Sequence, residues 1–217
     1  VFTHPVSRNS RLAELTGIDF KNSEDLIAAT SDCGAYMTLS SAIKGLAVKM
    51  TKVCNDIRLL ASGPRCGLKE INLPQLQPGS SIMPGKINPV IPEVVTQVAF
   101  HVIGNDTTIT MAAEAGQMEL NAFEPVVFYS LFSSITSMTG AVNTLLKNCI
   151  LGITANEKRC EDLVSKSVGI TTALCPYIGY QKAASIAKKS LKTGESVTSL
   201  VLKDELLTQK QLDDILD

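Results

Sequence analysis

Along most of this chain apolar residues recur at the alternating three- and four-residue spacing of an amphipathic helix. The clearest stretch covers residues 40–61, where Ile43, Leu46, Met50, Val53, Ile57 and Leu60 form a seam suited to packing along another helix. Ser62-Gly63-Pro64 ends it, because glycine suits the C-terminal position and proline cannot continue the hydrogen-bond ladder. A second stretch opens at Asn88-Pro89, a preferred N-cap followed by a preferred first residue. It carries Val90, Ile91, Val94, Val95, Val98, Ala99, Val102 and Ile103 on a wide apolar face. Gly104-Asn105-Asp106 predicts its end, with a further helix over much of residues 107–115.

The third long stretch, residues 125–150, has no charge from Val126 to Leu146, 21 residues that satisfy the length rule for a membrane span. Ser130, Ser133, Ser134, Thr136, Ser137, Thr139, Asn143 and Thr144 argue against a span, and basic anchors flank only one end. A helix buried on all sides within a bundle fits the same pattern. It would run roughly 40 Å at about 1.5 Å per residue, and needs neighbours this chain is too short to supply alone.

Shorter signals fill the rest. Residues 1–9 read as a loop entrance. Residues 11–16 form a short helix stopped by Gly17, and Ser23 caps a helix over residues 24–29 with acids in its first turn. Residues 65–77, with Pro74 and little periodicity, are a connection. From residue 151 charges return at Glu157, Lys158, Arg159, Glu161 and Asp162, and breakers follow at Gly169, Pro176, Gly179 and Gly194. Thr208 and Gln211 have capping-box spacing for a terminal helix. No strand-period segment of useful length appears. The prediction is all-α: a long-helix bundle over residues 1–150 and a small C-terminal helical domain over residues 151–217.

Composition narrows the function classes. The 217 residues are 45% hydrophobic and 19% charged, with a net charge of −1 and dispersed Lys and Arg. That excludes a nucleic-acid surface or a polybasic membrane patch. A mean hydropathy of +0.17 is high for a soluble monomer and points to apolar surface buried between subunits. Six Cys without C-x-x-C spacing and only two His, His4 and His101, speak against a metal site. Cys33, Cys54, Cys149 and Cys175 sit in or beside apolar segments and read as buried, reduced thiols of a cytoplasmic protein.

The densest punctuation lies at residues 79–89, Gly-Ser-Ser-Ile-Met-Pro-Gly-Lys-Ile-Asn-Pro. Gly and Pro exclude regular structure there, yet the stretch offers two hydroxyls, a cation and an amide at the N-terminus of a predicted helix. This is an arrangement for handling an anion.

This eleven-residue segment resembles the signature of the aspartase/fumarase superfamily. Leu60-Ala61-Ser62-Gly63-Pro64-Arg65, Gly104-Asn105-Asp106 and Glu119-Leu120-Asn121 are similar to other segments of that superfamily, so the resemblance covers nearly the whole chain. Gln77-Pro78, Asn88-Pro89-Val90-Ile91-Pro92-Glu93, the run from Ala112 to Gln117 and the run from Gly152 to Asn156 resemble aspartate ammonia-lyases more than class II fumarases. The resemblance implies anti-elimination of ammonia from L-aspartate to fumarate through an enediolate; the residues themselves give no sign of a cofactor or metal. It also implies a homotetramer whose active sites draw on three subunits. Superfamily members carry an upstream region with a Thr-His pair, which this chain lacks, so the chain is expected to be inactive by itself. Fumarate hydratase and a non-catalytic, crystallin-like role stand as alternatives.

Residue roles follow from the same resemblance. Ser80 is the catalytic base. Ser81, Lys86, Ile87 and Asn88 bind the dicarboxylate substrate, although Asn88 is also the expected helix cap. Glu93 supports a catalytic His from another chain. Gly79, Ile82, Met83, Pro84 and Gly85 complete a flexible loop, with Ile82 and Met83 as its apolar, water-excluding side. His101, between Phe100 and Val102, is assigned to packing or surface.

Overall fold

The computed structural model describes residues 5–77, 79, 82–83 and 85–216, with side chains from Asn9 onward. The regular structure of the described chain is helical apart from two-residue strands, and the chain divides into two compact units. The first takes residues up to Arg58 and Pro74–Gly152; the second takes Leu59–Leu73 and residues from Ile153 onward.

The first unit contains α1 (Pro5–Thr16), α2 (Ala28–Ser31), most of α3 (Gly34–Leu60), α4 (Val90–Glu114) and α5 (Glu124–Asn148). The three long helices each bury a stripe, stepping by three and four residues on α4 and α5 and mainly by seven on α3. On α3 it is Ser40, Ala47, Cys54 and Ile57, on α4 Val95, Ala99, Val102, Asp106 and Ile109, and on α5 Val127, Leu131, Ser134, Met138, Ala141 and Leu145. This is the side-by-side packing geometry of helix bundles. Ala47, Ala99, Val102 and Met138 form one core cluster; Ile109, Ala112, Val127 and Leu131 form the next.

Several expectations are corrected. The helix expected to stop at Gly104 continues to Glu114, because Asn105 and Asp106 spend their side chains on neighbouring helices rather than on a cap. Asp106 is buried and accepts hydrogen bonds from Ser40 Oγ (2.8 Å), Ser41 Oγ (3.3 Å) and Lys44 Nζ (2.5 Å). Burial alone pushes the Asp106 carboxyl pKa up, but the hydrogen bonds from Lys44 and Ser40, the Lys44 charge and Ser41 outweigh it. The carboxyl is held below the ordinary carboxylate value. Asp25, not Ser23, organises the start of α2, accepting from the N–H groups of Ile27 (2.9 Å) and Ala28 (3.0 Å). The first helix starts at Pro5, proline being suited to that position.

Neither α3 nor α5 is enclosed on all sides. Leu46 and Val53 of the expected seam face outward with Leu39, a second stripe at seven-residue spacing. On α5, Tyr129 is 76% and Phe132 is 62% exposed, and Val142 and Leu146 are exposed as well. Among the described residues α5 is the one helix long and apolar enough to cross a membrane.

In the second unit, β1 (Ile71–Asn72) pairs antiparallel with β2 (Thr154–Ala155), Ile71 opposite Ala155. Helices α6 (Glu157–Ser165), α7 (Thr171–Ile178), α8 (Tyr180–Thr193), α9 (Val197–Lys203) and α10 (Gln209–Leu216) follow. Their core is Leu174, Ile186, Val197, Leu200, Val201 and Leu212. Residues 59–73 join this unit through polar ties: Arg159 donates to Leu68 O (2.9 Å) and Gly67 O (3.2 Å), and Asn156 Nδ2 donates to Lys69 O (3.0 Å). Thr208 and Gln211 make the expected reciprocal cap of α10.

All six Cys are free; Cys33, Cys54 and Cys149 are buried, whereas Cys175 is only half-buried. Burial pushes the Cys33, Cys54 and Cys149 thiols up, which keeps them unreactive.

Candidate active site

The predicted loop leads into α4. Ser80, Ser81 and Pro84 lie outside the described residues, as does Pro78 before them, so the site is built from Gly79, Ile82, Met83 and Gly85 to Pro89. Its base is a closed ring. Gly79 N–H donates to Lys86 O (2.9 Å), and Asn88 Nδ2 donates to Gly79 O (2.7 Å). Inside the ring Lys86 N–H donates to Met83 O (3.3 Å), and Gly85 turns the chain at φ +77°. Only glycine fits at position 79: a Cβ there would sit 2.2 Å from Lys86 O and 2.5 Å from its carbonyl carbon.

Asn88 was expected to cap α4. Instead Pro89 occupies the flanking position without a side-chain hydrogen bond, and the Asn88 amide reaches back nine residues to the loop base. The reason is local, because Val90 N–H already finds Asn88 O at 2.9 Å and Pro89 has no N–H. Lys86 and Ile87 are exposed on the loop, and Ile82 and Met83 are exposed apolar residues beside them. Glu93 is half-buried in the first turn of α4, where a carboxylate complements the helix dipole. A lysine and a helix N-terminus can together receive a carboxylate and stabilise charge growing on it.

His101 lies two turns further along α4, exposed, with Asn105 Nδ2 3.2 Å from its Nε2. The Asp106 cluster is further still, roughly 20 Å along the helix axis from Glu93 at about 1.5 Å per residue. No group of three or more His, Cys, Asp or Glu able to hold a metal ion is present among the described residues. What sequence reasoning missed is the role of Gly79 and Asn88 in closing the ring. The one available signal was the nine-residue separation of a glycine and an amide across a breaker-rich stretch.

Comparison with known proteins gives the arrangement a family. The family described as "Lyase" matches residues 5–104, which contain the loop, and "Fumarase C C-terminus" matches residues 170–217. The chain belongs to the aspartase/fumarase superfamily. Aspartate ammonia-lyase of Helicobacter pylori is 55% identical over 216 residues, covering 98% of this chain and 46% of that protein. The Escherichia coli protein of the same name is 58% identical over 205 residues, covering 94% and 43%. The chain therefore spans about half the length of the curated relatives it matches. Among solved structures of the superfamily, a Brucella melitensis fumarate lyase:delta crystallin bound to cobalt superposes with a TM-score of 0.90 at 48% identity, covering 96% of this chain and 45% of that one. A class II fumarase from Schistosoma mansoni superposes at 0.84 with 31% identity, covering 98% and 47%. These superfamily neighbours agree with the all-α bundle expected from the sequence.

Proposed function

We propose that this chain serves in an aspartate ammonia-lyase, which reversibly eliminates ammonia from L-aspartate to give fumarate. The observation that carries the reading is the 55–58% identity to proteins of that name along nearly all of this chain, against 31% to a class II fumarase.

The difficult step is removal of a weakly acidic proton from the carbon beside the substrate's side-chain carboxylate. Ser80, as alkoxide, takes that proton. The C–H electrons pass into the adjacent carboxylate to give a dianionic enediolate, whose collapse forms the carbon–carbon double bond and expels ammonia from the opposite face. Lys86 stabilises the growing negative charge, and Ser81, Ile87 and Asn88 hold the carboxylates. Glu93 supports a His contributed by another subunit. The ring at Gly79 supports this assignment, since it anchors the residue covalently joined to Ser80.

The enzyme is a cytoplasmic homotetramer in this reading. The outward stripes Leu39-Leu46-Val53 on α3 and Tyr129-Phe132 on α5 supply apolar surface for subunit contact, and the six free thiols suit a reducing compartment. The test is to assay the complete gene product with L-aspartate and, separately, L-malate. Fumarate release from aspartate is expected, and turnover of malate alone would overturn the reading. Ser80→Ala is expected to lower kcat by roughly 10²–10⁴-fold or more.

A further inference from the structure

We propose that Asn88 is a positioning residue: its side-chain amide locks the base of the Gly79–Lys86 ring before substrate binds. The kinetic half of this inference rests on the lyase reading; the structural half does not. A side chain just ahead of a long helix ordinarily caps it, yet α4 has no side-chain cap, and Asn88 is half-buried with its Nδ2 2.7 Å from Gly79 O. Because Gly79 O accepts, the amide must present its NH2 group there. Both polar groups of Gly79 are then engaged, the N–H on Lys86 O (2.9 Å) and the C=O on Asn88. The clamped carbonyl belongs to the residue immediately before Ser80 in the chain, so the lock acts one residue ahead of the assigned base.

An amide NH2 has two hydrogens, and among the described residues one of them is used. The other remains for a substrate carboxylate, so Asn88 can hold the loop and touch substrate at once. The two roles separate in experiment. A residue that only contacts substrate leaves the substrate-free loop unchanged when replaced, whereas a lock does not.

The experiment is amide hydrogen exchange on the substrate-free complete gene product, comparing wild type with Asn88→Asp and Asn88→Ala. Asn88→Asp keeps the shape, removes the donor and sets a carboxylate against Gly79 O; Asn88→Ala decides the case if the aspartate variant does not fold. Expected is a rise of roughly three- to tenfold in exchange at the Gly79 and Lys86 amides, the scale of one lost hydrogen bond, with α3, α4 and α5 unchanged. Gly79→Ala, whose Cβ would meet Lys86 O at 2.2 Å, is expected to raise the same amides. Unchanged exchange at Gly79 and Lys86 in the Asn88 variants overturns the lock. In kinetics a rise in KM at constant kcat marks uniform substrate binding; a joint fall in kcat and kcat/KM is shared by a lock and a transition-state contact, so the exchange of the substrate-free protein decides between them. Raised exchange in a gene product with no aspartate activity would leave the lock standing and remove the lyase reading.

Discussion

Replacing Asp106 tests the account of how α3 is held to α4. The carboxylate is 3% exposed and accepts from Ser40, Ser41 and Lys44. Breaking a buried ion pair costs roughly 3–5 kcal/mol when the surviving charge is stranded. Here Lys44 keeps 41% of its side chain exposed and can turn to water, and the two hydroxyls can turn to carbonyls of their own helix. The cost of Asp106→Ala is then set by lost charge-assisted hydrogen bonds, about 2–4 kcal/mol. Asp106→Asn keeps the volume but points amide hydrogens at donors, and should fall between Asp106→Ala and wild type. The pH dependence has a definite sign. The folded pKa of Asp106 lies below its unfolded value, so its contribution is present above the unfolded pKa, about 3.9, and is lost as pH falls through the folded pKa. Denaturant unfolding of wild type and both variants, at neutral pH and in steps down into acid, checks this. If Asp106→Ala stays within about 0.5 kcal/mol of wild type, or the advantage of wild type over Asp106→Asn grows on acidification, the reasoning fails.

Two other substitutions probe separate features. Asn121 is buried between α4 and α5, donating to Ala112 O (2.9 Å) and accepting from Phe123 N–H (2.8 Å). Asn121→Ala should therefore cost about 1–3 kcal/mol in denaturant unfolding, because it removes a buried hydrogen bond to Ala112 O and a half-buried one from Phe123 N–H. Phe132→Lys on the exposed face of α5 should leave the helical circular-dichroism signal intact while reducing the particle mass by light scattering; an unchanged mass would remove that face from the subunit contacts.

The long helices were legible because their apolar spacing survives any tertiary context. Residues 126–146 could scarcely be anything but a helix, given so long an uncharged run without proline. Polar residues were harder. Asn105 and Asp106 after Gly104 look like a helix end, and only the presence of Ser40, Lys44 and Ser134 on neighbouring helices turns them into links. Asn88 carried the same ambiguity, since cap and loop tie use the same amide. Leu46 and Val53 belong to the seam by spacing but face outward, because periodicity does not say which of two apolar stripes a chain buries within itself. The site motif was visible at once from its punctuation, whereas the contact between Gly79 and Lys86 depends on backbone path and left no trace beyond the glycine itself.

The pairing of Ile71 with Ala155 has a consequence for inheritance and synthesis. The second unit is assembled from two separated passages of the chain, with the site loop, α4 and α5 lying between them. It cannot travel through evolution as one contiguous cassette: a gene cut at Gly152 would strip Arg159 and Asn156 of the carbonyls of residues 67–69. On the ribosome, residues 59–73 emerge long before their partners and must wait through the synthesis of the loop, α4 and α5. Any recombination that exchanges the residues from Ile153 onward therefore has to bring a matching piece from upstream of the loop.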